Sequence, residues 1–241
     1  MEKKVFATYE EMSAYAAQMV CDLVHSKPEA VLGLPTGGTP VGMYQQIRAM
    51  YQRGKLDFSK VTTFNLDEYL GLNHDHPQSY YYFMNQNLYS GVNLKEENIN
   101  IPSGTANDFA AECKQYDAKI ESKGGIDLMI LGIGPNGHIG FNEPAESLSA
   151  PTHTVDLTHE TIEANARFFD SIADVPTKAI TMGVGSSLKA KKILMLISGA
   201  SKQKVAKELF SGMVTTQNPS TLLQLHRDVV VLMDQAADGQ L

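Results

Sequence analysis

Residues 131–144 are Leu-Gly-Ile-Gly-Pro-Asn-Gly-His-Ile-Gly-Phe-Asn-Glu-Pro, and they follow the apolar run Ile-Asp-Leu-Met-Ile-Leu at residues 126–131. This run is short, β-branched at one end and bounded by glycines, which predicts a strand buried on both faces. The loop therefore begins at the carboxyl end of a strand, the edge at which open α/β sheets bind ligands. Its four glycines allow backbone N–H groups to approach a ligand closely.

The same loop carries side chains suited to proton transfer. His138 supplies an imidazole, Glu143 a carboxylate, and Asn136 and Asn142 supply amides. A glycine-rich turn with a surface histidine is the alternative that a lone Gly-x-Gly would favour. The longer pattern Asn-Gly-His-x-Gly-Phe-Asn-Glu-Pro is more specific, and it favours a catalytic loop.

Strand patterns alternate with helix patterns along the chain. Short apolar runs predict buried strands at residues 30–34, 60–66, 126–131, 178–182, 192–198 and 229–233. Caps or prolines before helically spaced apolar residues predict helices that begin near Thr8, Pro40, Ser79, Asp108, Thr158 and Asn218. This alternation predicts an α/β fold: a doubly wound, mainly parallel sheet with helices on both faces.

Residues 1–241 are expected to form a single catalytic domain, because no linker, repeat or low-complexity segment divides them. The N-terminal residues are predicted to lead straight into the first helix. Residues 145–155 are polar and rich in Ser and Thr. We therefore expect a mobile lid around residues 145–175.

Residues 35–40, Pro-Thr-Gly-Gly-Thr-Pro, connect a predicted strand to a predicted helix. Such a turn places free backbone N–H groups and a helix N-terminus at one point, which favours anion binding. Thr36, Gly37, Gly38 and Thr39 are therefore candidate phosphate ligands. A tight βα connection without a ligand is the alternative, and no Gly-Lys-Ser/Thr follows to make a Walker A motif. Lys202, in a first helical turn after another glycine turn, opposes the helix dipole unless it serves a bound anion.

Asp67 and Glu68 follow the predicted strand at residues 60–66. They are either a charge pair at a helix N-terminus or a catalytic carboxylate with a neighbour. Because consecutive side chains diverge, one of them should act and the other should support it. His74-x-His76 has a spacing that some metal sites use, but spacing places no third ligand, so we expect no metal.

The composition argues against several classes of function. A net charge of −7 without a cluster of Lys and Arg argues against nucleic-acid binding. No apolar run approaches the ~18 residues of a membrane span and no secretory signal is present, so we expect a cytoplasmic protein. Cys21 and Cys113 are expected to be buried thiols and not a disulfide. Neither glycine loop shows the Gly-x-Gly-x-x-Gly dinucleotide pattern, so no nicotinamide cofactor is expected.

The loop at residues 136–144 resembles the signature of the glucosamine-6-phosphate deaminase family. Four further segments are similar to motifs of that family: residues 35–40, residues 64–69 (Phe-Asn-Leu-Asp-Glu-Tyr), residues 164–170 (Ala-Asn-Ala-Arg-Phe-Phe-Asp) and residues 198–202 (Ser-Gly-Ala-Ser-Lys). The resemblance implies conversion of glucosamine 6-phosphate and water to fructose 6-phosphate and ammonia, without a metal or an organic cofactor.

The resemblance also implies a role for each matching residue. Asp67 would be the base that forms an enolamine, with Glu68 supporting it. His138 would open the sugar ring, and Glu143 would orient His138. Arg167 and Lys202 would join the glycine turn in binding the substrate phosphate.

The chain departs from the larger, allosteric members of that family in two places. Asn136 stands where those members carry aspartate, and an amide can accept a hydrogen bond from the imidazole of His138 but adds no negative charge. We therefore expect His138 to give up its proton at lower pH than it would beside an aspartate. Residues 145–154 contain no Lys or Arg, and only a polar tail, residues 234–241, follows the last predicted strand. We expect a monomer that N-acetylglucosamine 6-phosphate does not activate.

Two alternative functions remain. A 6-phosphogluconolactonase-like hydrolase shares this fold and a related loop, but lactone hydrolysis needs no enolising base, and that family lacks the segments at residues 64–69 and 141–144. A non-catalytic sugar-phosphate sensor, of the kind found in transcription regulators, would need a helix-turn-helix. Neither end of the chain has room or basic charge for one.

Overall fold

The computed structural model describes residues 1–166 and 169–239. Its strands are β1 (Glu2–Phe6), β2 (Val31–Leu34), β3 (Thr62–Asn65), β4 (Asp67–Tyr69), β5 (Ile99–Asn100), β6 (Leu128–Leu131), β7 (His153–Asp156), β8 (Lys178–Thr181), β9 (Lys192–Ile197) and β10 (Val229–Asp234). Its α-helices are α1 (Tyr9–Ser26), α2 (Val41–Gln52), α3 (Tyr80–Asn87), α4 (Phe109–Ser122), α5 (His159–Ala166), α6 (Val184–Leu188), α7 (Gln203–Leu209) and α8 (Gln235–Asp238).

The helix starts follow the capping residues. Thr8, Ser79 and Asp108 each accept a hydrogen bond from a backbone N–H in the first turn of α1, α3 and α4. At α1, the side chain of Glu11 reaches back to the N–H of Ala7 at 3.1 Å. These caps satisfy N–H groups that a helix leaves without partners, and the predicted starts of all three helices are confirmed.

A seven-stranded sheet with parallel pairings has the strand order β1-β10-β9-β6-β2-β3-β5. Alternate residues of β9 point to opposite faces, where Leu194 and Leu196 join one buried cluster and Ile193 and Met195 join another. The first cluster contains residues of α1 and α2, and the second contains residues of α4 and α7. The predicted doubly wound, mainly parallel sheet with helices on both faces is confirmed.

A second sheet was not predicted. Three short strands pair antiparallel in the order β4-β8-β7. The residues Asp67 and Glu68 therefore lie in a strand and not at a helix N-terminus, and β8 lies outside the parallel sheet to which its apolar pattern had assigned it. The segment expected to be mobile contains β7, whose residues alternate between half-buried and exposed. The pairing joins segments that are far apart in the chain, so local periodicity gives no sign of it.

The N-terminal prediction was wrong. Residues 2–6 do not lead straight into a helix but form β1, which pairs with β10 at the edge of the large sheet. The charged residues Glu2, Lys3 and Lys4 concealed this strand, although charges are common on edge strands. The polar C-terminal tail likewise begins with the short helix α8. Cys21 and Cys113 are buried free thiols, as predicted. Within residues 1–166 and 169–239, no helix is both long and apolar enough to cross a membrane.

Candidate active site

A cavity of about 1010 Å³ opens where the carboxyl ends of β2, β3 and β6 meet. Its walls contain most of the predicted site residues, namely Thr36, Gly37, Gly38, Thr39, Asp67, Asn136, His138, Glu143 and Lys202. Tyr80, Phe141, Thr158 and Thr161 also line it, and the sequence did not mark them as site residues. Residues from six separate segments of the chain thus face one volume.

The glycine turn between β2 and α2 forms one end of the cavity. Gly37 has a backbone φ of +92°, and a side chain at Gly37 or Gly38 would meet no atom within 4 Å because the turn faces open space. Among the described residues, no acceptor receives the N–H groups of Gly37, Gly38 or Thr39. Pro40 begins α2 without a side-chain cap. The turn therefore offers unpaired donors and a helix N-terminus to an anion.

Tyr9 holds this turn from behind. Its hydroxyl lies 3.2 Å from the carbonyl oxygen of Gly38 and 3.0 Å from that of Thr39, and it accepts the N–H of Gly42 at 2.8 Å. The turn's carbonyls are thus directed toward α1. No pattern in the sequence indicates this role, because Tyr9 matches only the first residue of a capped helix.

Lys202 enters the same end of the cavity from the segment after β9. It lies in a 3-10 turn, Ala200–Lys202, immediately before α7. Burial lowers the pKa of its ammonium group, and no carboxylate in the described part of the chain forms an ion pair with it. A half-buried cation without a counter-ion favours an anionic ligand.

The buried Asp234, at the end of β10, fixes the turn that carries Lys202. Its carboxylate accepts hydrogen bonds from the Ser198 hydroxyl at 2.5 Å, from the Gly199 N–H at 3.1 Å and from the Ala237 N–H at 2.7 Å. Gly199 has a φ of +91°, which favours glycine there. The sequence had assigned Asp234 only to a polar tail.

His138 and Glu143 form the hydrogen-bonded pair that the loop pattern predicted. Nδ1 of His138 lies 3.2 Å from Oε2 of Glu143, and the histidine side chain remains partly exposed to the cavity. Two more donors reach the carboxylate, Asn136 Nδ2 at 2.7 Å and the Thr161 hydroxyl at 2.9 Å. Burial would raise the pKa of Glu143, but these three partners outweigh it and bring the pKa to about 2. Glu143 is therefore ionised at any physiological pH.

Asn136 does not act as predicted. We expected its amide oxygen to accept a hydrogen bond from the imidazole, but that oxygen accepts the backbone N–H of His138 at 3.2 Å, and its amide group donates to Glu143. The turn through Gly137, at a φ of +87°, sets this orientation. Asn136 thus donates a hydrogen bond that stabilises the negative charge on Glu143.

Asp67 and Glu68 point in opposite directions from β4, as successive residues of a strand do. Asp67 lines the cavity, and its carboxyl group receives no hydrogen bond from the described residues. Glu68 is fully buried and accepts the N–H groups of Tyr69, Tyr80 and Tyr81 at 2.9, 2.9 and 3.1 Å. The structure thus places one carboxylate at the cavity and the other beneath it.

Burial changes the proton affinity of both carboxylates. It raises the pKa of Asp67 to about 8, and the neighbouring charge of Glu68 adds to the effect. Burial also raises the pKa of Glu68, to about 7, although its three backbone donors oppose the rise. The three N–H donors favour the ionised form of Glu68, and Asp67 receives no such donors from the described residues. Asp67 is left as a carboxyl group that exchanges a proton close to neutral pH, as a general base requires.

Two glycines of the loop are required by close contacts. A side chain at Gly134 would lie 2.2 Å from the imidazole of His138, and one at Gly140 would lie 3.2 Å from Oδ2 of Asp67. Asn142 does not face the cavity, because its amide donates to the carbonyls of Ile139 and Met182, each at 2.9 Å. It ties the loop to the second sheet.

Two other residues that the sequence singled out, His74 and His76, do not line the cavity. Arg167 falls outside the described residues. The ring of His74 stacks on Tyr81 with centroids 4.2 Å apart, and Nδ1 of His76 accepts the N–H of Gln78. Within the described ranges, no three His, Cys, Asp or Glu side chains are grouped to hold a metal ion.

Comparison with known proteins places the chain in a family. Residues 5–232 match the family of glucosamine-6-phosphate isomerases and 6-phosphogluconolactonases. The glucosamine-6-phosphate deaminase of Clostridium perfringens is 57% identical over 233 residues, which cover 97% of this chain and 96% of that protein. The deaminase of a Thermoanaerobacter species is 55% identical over 237 residues, which cover 98% and 94% of the two chains.

Solved structures agree with this assignment. A monomeric glucosamine-6-phosphate deaminase of the NagB superfamily has a TM-score of 0.96 and 46% identity, and the match covers 99% of each chain. A 6-phosphogluconolactonase from Thermotoga maritima has a TM-score of 0.76 at 18% identity, covering 97% of this chain and 98% of its own, which shows a shared fold alone. The chain belongs to the glucosamine-6-phosphate isomerase/6-phosphogluconolactonase family, and the resemblance predicted from its sequence is confirmed.

Proposed function

We propose that this chain is a glucosamine-6-phosphate deaminase, which converts glucosamine 6-phosphate and water to fructose 6-phosphate and ammonia. The observation that carries the proposal is the arrangement of one cavity. A buried carboxyl group, Asp67, and the His138–Glu143 pair line the same space as Lys202 and the glycine turn, whose ammonium and N–H groups have no partner among the described residues. Proton-transfer groups and an anion site thus share a single ligand volume.

The phosphate of the substrate binds at the glycine turn and Lys202. The N–H groups of Gly37, Gly38 and Thr39 donate to its oxygens, and the hydroxyls of Thr36 and Thr39 are available as further donors. Lys202 supplies a compensating charge. This remote contact holds the sugar so that its other end lies against the reacting groups.

His138 opens the pyranose ring. Its imidazole takes the proton of the C1 hydroxyl and delivers a proton to the ring oxygen, so that the C1–O5 bond breaks and an aldehyde forms at C1. An imidazole can exchange protons in both directions near neutral pH. Glu143 accepts a hydrogen bond from Nδ1–H of His138, so that Nε2 is free to exchange protons with the substrate. This is the role of the third member of a base-orienting arrangement.

Asp67 then moves a proton between two neighbouring carbons. Its carboxylate removes the C2 proton while the aldehyde oxygen takes up a proton from the substrate ammonium group, and a neutral enolamine forms. Return of the proton from Asp67 to C1 leaves an imine at C2, which water hydrolyses to the ketone with release of ammonia. The positive charge of the substrate amine favours the ionised form of Asp67 when substrate is bound, which offsets the cost of burying the carboxylate.

The discriminating experiment is ammonia release from glucosamine 6-phosphate, with 6-phosphogluconolactone as a parallel substrate and with chelator present. We expect ammonia release by the wild-type chain and a loss of about 10²- to 10⁴-fold in kcat for Asp67→Asn, the range of a lost general base. Asp75→Asn, which removes an exposed carboxylate, is the matched control and should keep full activity. The inhibition constant for inorganic phosphate should stay unchanged in both variants.

Other outcomes would redirect the assignment. Lactone hydrolysis without ammonia release would favour the hydrolase reading, and sugar-phosphate binding without either activity would indicate a sensor. A monomeric state, a cytoplasmic location, a single domain with a lid around residues 145–175 and the lack of activation by N-acetylglucosamine 6-phosphate all stay predictions. The first of these has the support of the monomeric relative of known structure.

A further inference from the structure

We propose that Thr161 is a positioning residue for the ring-opening step, because its hydroxyl fixes Glu143 and, through Glu143, the imidazole of His138. The kinetic part of this inference rests on the proposed deaminase function. Thr161 lies on α5, within the segment expected to form a lid, and its hydroxyl is 2.9 Å from Oε1 of Glu143. Neither residue type nor spacing in the sequence had marked it.

The direction of this hydrogen bond is fixed by the ionised carboxylate of Glu143, and a second threonine extends the chain of donors. The hydroxyl of Thr158 lies 3.0 Å from that of Thr161 and also accepts the N–H of Thr161 at 3.2 Å. A carboxylate that is ionised can only accept, so the Thr161 proton must point to Glu143. The hydroxyl oxygen of Thr161 is then free to accept a hydrogen bond from the Thr158 hydroxyl. The result is a relay of donors that begins at the start of α5 and ends on Glu143.

Glu143 therefore receives donors on both of its oxygens from two separate elements. Oε2 receives Asn136 and His138 from the loop, whereas Oε1 receives Thr161 from α5. The loop contacts alone would leave the carboxylate free to rotate about its last bond. The contact from α5 prevents that rotation and keeps Oε2 opposite Nδ1 of His138.

The same contact also affects protonation. A donor on Oε1 disperses the negative charge of Glu143. Burial raises the pKa of this carboxyl group, and the Thr161 hydroxyl helps His138 and Asn136 to lower it. The other titratable groups around the cavity are Asp67, Tyr80 and Lys202. On α5 itself, His159 and Glu163 are exposed and pair with each other at 3.3 Å. None of these replaces the Thr161 donor at Oε1.

The test compares Thr161→Val, which keeps the shape but lacks the hydroxyl, with Thr161→Ser, which keeps the hydroxyl. Thr154→Val, on an exposed position of β7, is the matched control. We expect Thr161→Val to lower kcat about tenfold, the rate equivalent of one lost hydrogen bond to a charged group. KM should change less than kcat, and both Thr161→Ser and Thr154→Val should behave as wild type.

Two further readouts separate positioning from a structural role. Binding of the acyclic 2-amino-2-deoxyglucitol 6-phosphate, which needs no ring opening, should be equal in wild type and Thr161→Val. An NMR titration of the His138 ring should show protonation at a pH about half a unit higher in Thr161→Val, since Glu143 becomes a stronger acceptor.

The proposal is overturned if Thr161→Val keeps the wild-type kcat and titration midpoint. It is equally overturned if activity and melting temperature fall together while the midpoint stays fixed and serine fails to restore activity. The NMR titration does not depend on turnover. Absence of ammonia release by the wild type would therefore reject the deaminase function, while the titration would still decide whether Thr161 acts on the His138–Glu143 pair.

Discussion

The two ends of the cavity are constructed differently. The phosphate end consists of turns that follow β2 and β9 of the parallel sheet, and its donors are backbone N–H groups and one ammonium group. The reacting end combines the loop after β6 with a strand of the antiparallel sheet and with α5. Binding of an anion thus depends mainly on turn geometry, whereas proton transfer depends on particular side chains that different parts of the fold bring together.

Burial shifts the pKa values at the two ends of the cavity in opposite directions. It lowers the pKa of Lys202 and raises the pKa of Asp67, so each charged group is made less favourable in the empty cavity. Glucosamine 6-phosphate carries a phosphate for one end and an amine for the other. A substrate with both charges offsets both desolvation costs, whereas a ligand with only one charge offsets one of them.

Apart from the loss of Asp67 itself, the largest effect should come from removing the charge at the phosphate end. Lys202→Gln is expected to raise KM about 10- to 100-fold, the equivalent of one hydrogen bond between charged groups, with a smaller change in kcat. Steady-state kinetics with glucosamine 6-phosphate would measure this. Lys207→Gln, an exposed lysine on α7, is the matched control. If kcat falls as far as KM rises, the two ends are not separable, and Lys202 also acts on the reacting end.

Much of the phosphate end could be predicted from the sequence because its signals are local. A strand pattern, a glycine turn and a helix start follow one another within residues 30–41, and the turn alone determines where the N–H groups point. The loop at residues 131–144 could be predicted for the same reason, because its signals are also local. Tyr9 and Asp234, which hold the phosphate turns in place, gave no signal because each satisfies an ordinary helix-start or tail pattern.

The reacting end was less predictable for a physical reason. Asp67 was identified by the resemblance of its segment, but its place on a strand depends on pairing with Thr181, 114 positions later in the chain. No periodicity within a short window reports such a pairing. Thr161 is only 18 positions from Glu143 in the chain, but it reaches the carboxylate from a different element, α5. Side chains that meet only through tertiary packing are therefore the ones that sequence patterns missed.

A second prediction tests whether Glu68 adjusts Asp67 or only supports the fold. Burial is the main cause of the raised pKa of Asp67, and the charge of Glu68 is the second. Glu68→Gln removes that charge, so Asp67 should ionise at lower pH. The acidic limb of the kcat/KM profile should then move down by about half to one pH unit. Asp75→Asn removes an exposed charge instead and should leave the limb in place.

Glu68→Gln should also change how the stability of the folded state depends on pH. The folded pKa of Glu68 is raised from 4.5 to about 7, so this group stabilises the folded state at low pH, and that contribution is lost as the pH rises from 4.5 through about 7. Glu68→Gln should flatten the decline in melting temperature across that window. It should also lower stability below about pH 4.5, where Glu68 is protonated in both states, because an amide cannot accept all three backbone N–H groups. A decline identical to wild type would show that Glu68 stays ionised throughout.

The smallest expected effect concerns Asn136, which lies at the reacting end but carries no charge. Its amide donates to Oε2 of Glu143 at 2.7 Å, the same oxygen that receives His138. In Asn136→Asp a second carboxylate replaces this donor, and the added negative charge should hold a proton on the His138–Glu143 pair to higher pH. The limb of the pH–rate profile that reports His138 should move up by about half a pH unit.

Asn136→Ala removes the donor without adding a charge and should give a smaller shift in the same direction. Equal shifts in both variants would assign the effect to the lost hydrogen bond, and an unshifted profile in Asn136→Asp would mean that the charge at this position does not reach the imidazole.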